Sequence, residues 1–220
     1  MTENAEKKES ETGRNEIKEE KEEKGQKAID FTHLHTDDIT PLLRCKRVPC
    51  PKCGKTRAVY CYDCLIKVEE DLHIPHVDLP LDVYMLQHPN ERKSKSTAVH
   101  LCMVSPEKAK LEKWPREETF DPTSTVILFP SETAIPVDEV DFDKVKTVVF
   151  LDCTWPQTHS MLIDEKLRGI PRVKIEGSES RFWRYHRFGK PQVKSLLSTI
   201  EAVYYFFVEF AIAKERRERR

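Results

Sequence analysis

Two pairs of cysteines are the residues most clearly spaced for chemistry. Cys50 and Cys53 form one CxxC pair, Cys61 and Cys64 form a second, and seven residues separate them. Each pair brings two thiolates toward one ion, and two pairs complete a tetrahedral Zn²⁺ site. A redox-active pair is the alternative. Because four cysteines leave no coordination position open for a substrate, we expect the zinc to be structural.

A second candidate lies where an apolar run meets polar residues. The run VVFL at residues 148–151 predicts a buried strand, and the sequence DCTW follows it at once. Parallel α/β sheets bind ligands beyond the carboxyl ends of their strands, where Asp152 and Trp155 would lie. Two other interpretations stay open: Asp152 as the N-cap of the next helix, and Trp155 as a core aromatic residue.

A third candidate is the segment SRFWRYHRFGKPQVK at residues 180–194, which alternates cations with aromatic side chains and has no acid. Cations contact phosphates, and aromatic faces stack on exposed bases. The alternative is a solvated loop whose aromatic side chains point into the core. We favour RNA, with the contacts made by Arg181, Trp183, Arg184, Arg187 and Lys190.

Ser198 and Glu201 have the spacing of a capping box, which predicts that a helix begins there. A helix start also presents free N–H groups to an anion, so the same residues could hold a carboxylate. The helix is predicted over residues 198–214, with apolar residues on nearly all sides.

The remaining pattern indicates which elements position these candidates. Strands are predicted at residues 97–104, 124–129, 146–151 and 172–175, a helix at 159–168, and a surface excursion at 107–122. Strands alternating with helices predict an α/β layered domain with a mainly parallel sheet.

Composition sets the limits of this domain. Residues 1–28 hold nine Glu and seven Lys or Arg with little apolar content, which predicts a disordered tail. We further expect a zinc-binding module at 45–68, a catalytic domain at 75–214 and a basic tail at 215–220. No signal peptide or membrane-spanning run is evident, so reduced thiols and a nuclear or cytoplasmic location are expected, with the basic end favouring the nucleus.

Five short blocks resemble the DTW-domain tRNA-uridine aminocarboxypropyltransferases, most closely the eukaryotic branch. The resemblance covers roughly residues 50–212 and includes the paired CxxC motifs. In chain order the blocks are LQHPNE at 86–91, KST at 95–97, LFP at 128–130, DCTW at 152–155 and LSTIEA at 197–202.

The resemblance implies a SPOUT-like α/β fold that uses S-adenosylmethionine and carries a backbone knot near its C-terminus. It implies transfer of the 3-amino-3-carboxypropyl group to N3 of a uridine in tRNA, with 5′-methylthioadenosine as the other product. The implied catalytic residues are Asp152, Thr154 and Trp155. The implied cofactor-binding residues are Leu128, Pro130, Asp152, Trp155, Ser198, Thr199 and Glu201.

Two other functions compete with this one: a non-catalytic zinc-ribbon RNA-binding module, and a SPOUT-type RNA methyltransferase. Asp152 could act as a general base, or it could orient the amino group of the transferred chain. Relatives often continue beyond the point where this sequence stops. We therefore expect impaired activity if the residues that follow in those relatives complete the knot or the pocket.

Overall fold

A six-stranded sheet organises the chain. The computed structural model describes residues 38–180 and 196–219. The strands of the large sheet are β5 (Asp82–Gln87), β6 (Ala109–Lys113), β7 (Thr125–Leu128), β8 (Ile135–Pro136), β9 (Thr147–Asp152) and β10 (Arg172–Lys174). The helices are α1 (Thr40–Leu43), α2 (Ala98–Val104), α3 (Trp155–Leu162) and α4 (Thr199–Glu218).

All paired strands of this sheet are parallel, in the order β6-β5-β9-β7-β10-β8. The predicted α/β class and mainly parallel sheet are therefore confirmed. β9 lies between β5 and β7, and its alternate residues enter two different cores. Val148 and Phe150 pack into one core, and Val149 packs into the other. A strand covered on both faces is apolar throughout, as the run at 148–151 indicated.

Helices cover both faces of the sheet. Leu101 of α2 and Phe206 and Phe210 of α4 pack against the face that carries Phe150. Met161 of α3, with Leu167 and Ile170 behind it, packs against the opposite face. No helix in the described part of the chain is long and apolar enough to cross a membrane.

Two short hairpins precede the large sheet. β1 (Val48–Pro49) pairs with β2 (Thr56–Arg57), and β3 (Tyr60–Cys61) pairs with β4 (Ile66–Lys67), both antiparallel. Their small core contains the buried side chains of Cys50, Cys61 and Val68. So few apolar residues bury little surface, which makes a metal cross-link a reasonable source of stability.

The strand predicted at residues 97–104 is wrong, because this segment forms α2. Its buried residues are Ala98, Val99, Leu101 and Cys102, which lie on one helical face rather than alternating. The surface excursion predicted at 107–122 is also wrong in part, because it contains the edge strand β6, whose Ala109 is buried.

The helix predicted at residues 159–168 begins earlier and ends earlier. α3 begins at Trp155 and ends at Leu162, and a separate 3₁₀ turn covers Glu165–Leu167. The other predicted strands and the last helix are present with small shifts at their ends. The predicted division into tails and domains stays a prediction, and the tail at 1–28 lies outside the described residues.

Candidate active site and metal centre

Asp152 is the last residue of β9, at the carboxyl end of an interior strand. Its register partner is Gln87, the last residue of β5. Asp152 is 5% exposed and Gln87 is 2% exposed, so two polar side chains meet at a buried point where two parallel strands end. The sequence correctly places Asp152 at the sheet edge where such folds bind ligands.

The carboxylate of Asp152 accepts three hydrogen bonds from three separate elements. Oδ2 accepts from Gln87 Nε2 at 2.9 Å and from Ser96 Oγ at 2.7 Å, and Oδ1 accepts from Thr199 Oγ1 at 2.8 Å. No Lys or Arg within residues 38–180 and 196–219 forms an ion pair with it. Asp152 thereby joins β5, the loop before α2 and the start of α4.

The N-cap interpretation of Asp152 is wrong. The N-cap of α3 is Thr154, whose backbone N–H donates to Gln157 Oε1 at 2.8 Å in a capping box. The carboxylate of Asp152 points instead to the three donors on other elements. Thr154 therefore fixes the turn between the strand and the helix, while Asp152 is left for the site.

Trp155 is the first residue of α3 and is 47% exposed, so it is not the core aromatic that the alternative required. Its ring centroid lies 6.0 Å from that of Phe129. Leu128 ends β7 on the strand next to β9 and is half-buried, and Pro130 is exposed two residues later. The structure therefore brings Leu128, Pro130 and Trp155 to the same sheet edge as Asp152.

Ser198 and Glu201 form the predicted capping box at the start of α4. Ser198 Oγ accepts from the backbone N–H of Glu201, and Glu201 Oε2 accepts from the backbone N–H of Ser198 at 2.8 Å. The hydroxyl of Ser180 also donates to Glu201 Oε1 at 3.1 Å. Thr199, the first residue of α4, donates a hydrogen bond to Asp152. The start of α4, which the capping box fixes, therefore forms one wall of the site.

Three residues of this site were not assigned a role from the sequence. Gln87 and Ser96 hold Asp152, and Thr97 Oγ1 accepts from the backbone N–H of Ile200 at 3.2 Å, which ties the loop before α2 to α4. A glutamine that ends an apolar strand was a usable signal. Ser96 and Thr97 lie in the KST block at 95–97, but the block by itself does not indicate which residue they contact.

His88 and Glu91 lie in the loop that begins after β5. The backbone N–H of His88 donates to the carbonyl of Asp152 at 3.1 Å, and its ring stacks on Trp114 with centroids 5.6 Å apart. Trp114 is held in turn by Asp164, which accepts from its indole N–H at 2.8 Å. These contacts order the loop whose far end supplies Ser96.

The cysteine beside the site is not activated as a nucleophile. Burial raises the pKa of Cys153 to about 12, and the nearby carboxylates of Asp152 and Glu91 add to this shift. Burial likewise raises the pKa of Cys102 to about 11. Both thiols are therefore neutral near pH 7, which argues against either of them acting as a nucleophile.

The four cysteines predicted as metal ligands converge on one point. The Sγ atoms of Cys50, Cys53, Cys61 and Cys64 all lie within 4.8 Å of one another. The Sγ atoms of Cys53 and Cys61 are 3.6 Å apart. Tetrahedral Zn²⁺ with bonds of about 2.3 Å requires sulfur atoms about 3.8 Å apart, so the cluster fits this ion.

Charged side chains fix the two hairpins around this cluster. Asp63 lies between the two cysteines of the second pair, and its carboxylate accepts from Lys55 at 3.1 Å and from Arg57 at 2.8 Å. These two donors hold the pKa of Asp63 below its usual value. The hairpins are therefore joined by an ion-pair network as well as by the thiols.

The predicted RNA-binding residues Arg181, Trp183, Arg184, Arg187 and Lys190 lie outside the described residues. The segment before them is anchored on α4 at three points. The backbone N–H of Glu176 donates to Glu209, the carbonyl of Glu179 accepts from Tyr205, and Ser180 donates to Glu201. The RNA-binding role of residues 181–190 stays a prediction.

The fold and the site together define a class of protein. Its members have a parallel α/β domain with a polar site at the carboxyl edge of the sheet, and a four-cysteine cluster precedes that domain. The DTW domain model matches residues 58–219, and the chain belongs to that family.

Curated relatives are similar to this chain over most of its length. The tRNA-uridine aminocarboxypropyltransferase 1 of Mus musculus is 31% identical over 218 residues, covering 77% of this chain and 71% of the relative. The Homo sapiens protein of the same name is 31% identical over 210 residues, covering 74% and 68%. The tRNA-uridine aminocarboxypropyltransferase 2 of Drosophila melanogaster is 30% identical over 144 residues, covering 59% and 55%. No solved structure matches. The predicted family membership is confirmed.

Proposed function

We propose that this protein transfers the 3-amino-3-carboxypropyl group of S-adenosylmethionine to N3 of a uridine in tRNA. The new bond joins uracil N3 to the methylene carbon next to sulfur, the carbon–sulfur bond breaks, and 5′-methylthioadenosine leaves. The proton of N3–H is released. Membership of the DTW family and the names of the relatives support this activity, and the observation that carries it is the buried, triply hydrogen-bonded Asp152 at the sheet edge.

The residues at this edge fit S-adenosylmethionine. Leu128 and Phe129 are half-buried and Trp155 is exposed, which provides apolar and π surface for the nucleoside and for the sulfonium cation. The start of α4 at Ser198 and Thr199 favours a carboxylate, because helix N-termini carry partial positive charge. S-adenosylmethionine supplies a carbon activated by the positively charged sulfur.

Asp152 is proposed to orient the amino group of S-adenosylmethionine. A carboxylate has about four acceptor positions, and three are occupied by Gln87, Ser96 and Thr199. One position on Oδ1 remains for a ligand. A side chain held on three sides is better suited to fixing the direction of one hydrogen bond than to exchanging a proton, so we favour orientation over general-base catalysis.

Zn²⁺ bound by Cys50, Cys53, Cys61 and Cys64 is the second part of the proposal. The convergence of the four Sγ atoms supports it, and a site with four cysteine ligands is closed to substrate. The metal would stabilise the two hairpins. We also propose a nuclear or cytoplasmic location, supported by the basic residues near the end of the chain, which imaging of a tagged chain would test.

Product analysis tests the activity directly. The full chain is incubated with labelled S-adenosylmethionine and unmodified tRNA, and the small-molecule products are separated. We expect 5′-methylthioadenosine and labelled tRNA in equal amounts. S-adenosylhomocysteine would identify a methyltransferase. Binding of tRNA without either product would identify a non-catalytic RNA-binding module.

A further inference from the structure

A groove lies beside the end of α3, and none of the residues assigned to the candidate active site lines it. It encloses about 540 Å³ and lies between the end of α3 and the strands β8 and β10. Its apolar walls include Ile135, Leu162 and Ile163, and two of these are strongly exposed: Ile135 by 41% and Ile163 by 62%. A volume of this size is within the range that binds small organic groups.

Two arginines line the same groove. Arg168 is exposed, and Arg172 is half-buried as the first residue of β10. Among the described residues, neither guanidinium donates a hydrogen bond or forms an ion pair. The guanidinium carbon of Arg172 lies 5.9 Å from the centroid of the Phe129 ring. The groove therefore combines an apolar wall with two cations whose donors are available to a ligand.

Aromatic contacts connect this groove to the candidate active site. Phe129 lies between Arg172 and Trp155, with its ring centroid 6.0 Å from that of Trp155. Trp155 is three residues from Asp152. Trp155 and Ile163 are eight residues apart, which is about 12 Å along a helix at 1.5 Å per residue. At about 3.4 Å per nucleotide of a stacked strand, this distance corresponds to roughly three or four nucleotides.

We propose that this groove binds a nucleotide of the RNA strand a few positions from the target uridine, an inference that rests on the proposed function. Arg168 and Arg172 contact phosphate oxygens, and the base lies against the apolar wall formed by Ile135, Leu162 and Ile163. The charge fits, because the RNA brings one negative charge per phosphate and the two arginines bring positive charge that no acid among residues 38–180 and 196–219 pairs with. The groove would determine which sequence or shape flanks the modified uridine.

Charge reversal in the groove tests this proposal. R168E and R172E are compared with K144E. This control makes the same change of charge at an exposed residue three positions before β9. We expect R168E and R172E each to raise the dissociation constant for unmodified tRNA about tenfold. The salt slope, defined as the slope of log binding constant against log salt concentration, should become shallower by about 0.7–0.9 per lost phosphate contact. K144E should leave both quantities unchanged. The affinity for S-adenosylmethionine should be unchanged in all three variants.

A second variant separates charge from stacking. R172K keeps the charge but loses the planar guanidinium, so it should keep the salt slope and still weaken tRNA binding. Binding is measured without S-adenosylmethionine, so it remains informative even if no transfer is detected. The proposal is overturned if R168E and R172E both melt like wild type and both bind tRNA like wild type. If these variants also transfer the aminocarboxypropyl group, the proposed function stays intact.

Discussion

Replacing Asp152 by alanine removes the acceptor that joins three elements. Hydrogen bonds to a charged group contribute about 1.5–3 kcal/mol each, and the amide of Gln87 would be left buried without this partner. The hydroxyls of Ser96 and Thr199 are only half-buried and can turn to water. Removing a buried charge offsets part of the loss, so we expect D152A to lower the free energy of unfolding by about 2–4 kcal/mol. For a chain of this size that corresponds to roughly 5–15 °C in Tm.

Asp152→Asn separates the charge from the scaffold. If its carbonyl faces Gln87 and Ser96, both of those bonds are kept and its amide can donate to Thr199. The amide then occupies the side where a ligand would need an acceptor. We therefore expect D152N to melt within about 1 kcal/mol of wild type but to bind S-adenosylmethionine roughly ten- to a hundredfold more weakly, which is the worth of one charge-assisted hydrogen bond.

Calorimetric titration of S-adenosylmethionine and single-turnover transfer, measured on the same D152N sample, distinguish the two roles of the carboxylate. An orienting carboxylate predicts the loss mainly in cofactor affinity. A general base predicts unchanged affinity and a rate lower by about a hundred- to ten-thousandfold. Unchanged affinity with that loss of rate would refute the orienting role. A D152A protein that melts like wild type would refute the scaffold argument.

Three further changes test other parts of the structure. C53S should lose bound zinc by elemental analysis while C45S keeps it, and equal zinc in both would contradict the assigned ligands. E201A should lower the free energy of unfolding by about 1 kcal/mol, because alanine cannot accept the hydrogen bond from the backbone N–H of Ser198 in the capping box, and an unchanged urea midpoint would contradict this. Burial raises the pKa of Glu209 from 4.5 to about 7, although the hydrogen bond from the backbone N–H of Glu176 opposes this shift. The folded state therefore binds the proton more tightly than the unfolded state does, and the free energy of unfolding falls as the pH rises from 4.5 to 7. E209Q should therefore exceed wild type in stability at pH 8 by about 1 kcal/mol after solvent screening and match it near pH 4, whereas equal stability at both pH values would contradict the assignment.

Local pattern was sufficient wherever one physical signal dominated. The apolar run before Asp152 could only be a strand covered on both faces, and Ser198 with Glu201 fixed the start of α4. The four cysteines could be grouped because two short hairpins bring near neighbours in the sequence together. For the capping box and the cysteines, the contacts that matter join residues close in the chain.

The errors arose where two signals competed. The segment TAVHLCMV at 97–104 is rich in residues that favour strands, yet its buried residues lie on one face of a helix. Packing of this face against α4 and the sheet favours the helix over the strand. The helix predicted at 159–168 starts too late. Proline is tolerated in the first turn of a helix, and Pro156 is the second residue of α3.

The partners of Asp152 could not be predicted from local pattern, because they lie 65, 56 and 47 residues away along the chain. Only the parallel register of β5 and β9 and the return of α4 bring them together. A separate contact links the four-cysteine cluster to the site. The hydroxyl of Tyr60, beside Cys61, lies 3.2 Å from His100 Nδ1 on α2, and the loop that leads into α2 supplies Ser96 to Asp152. We therefore expect loss of the proposed zinc to act on the candidate active site through α2, because the hairpin that carries Tyr60 also carries the proposed ligands Cys61 and Cys64.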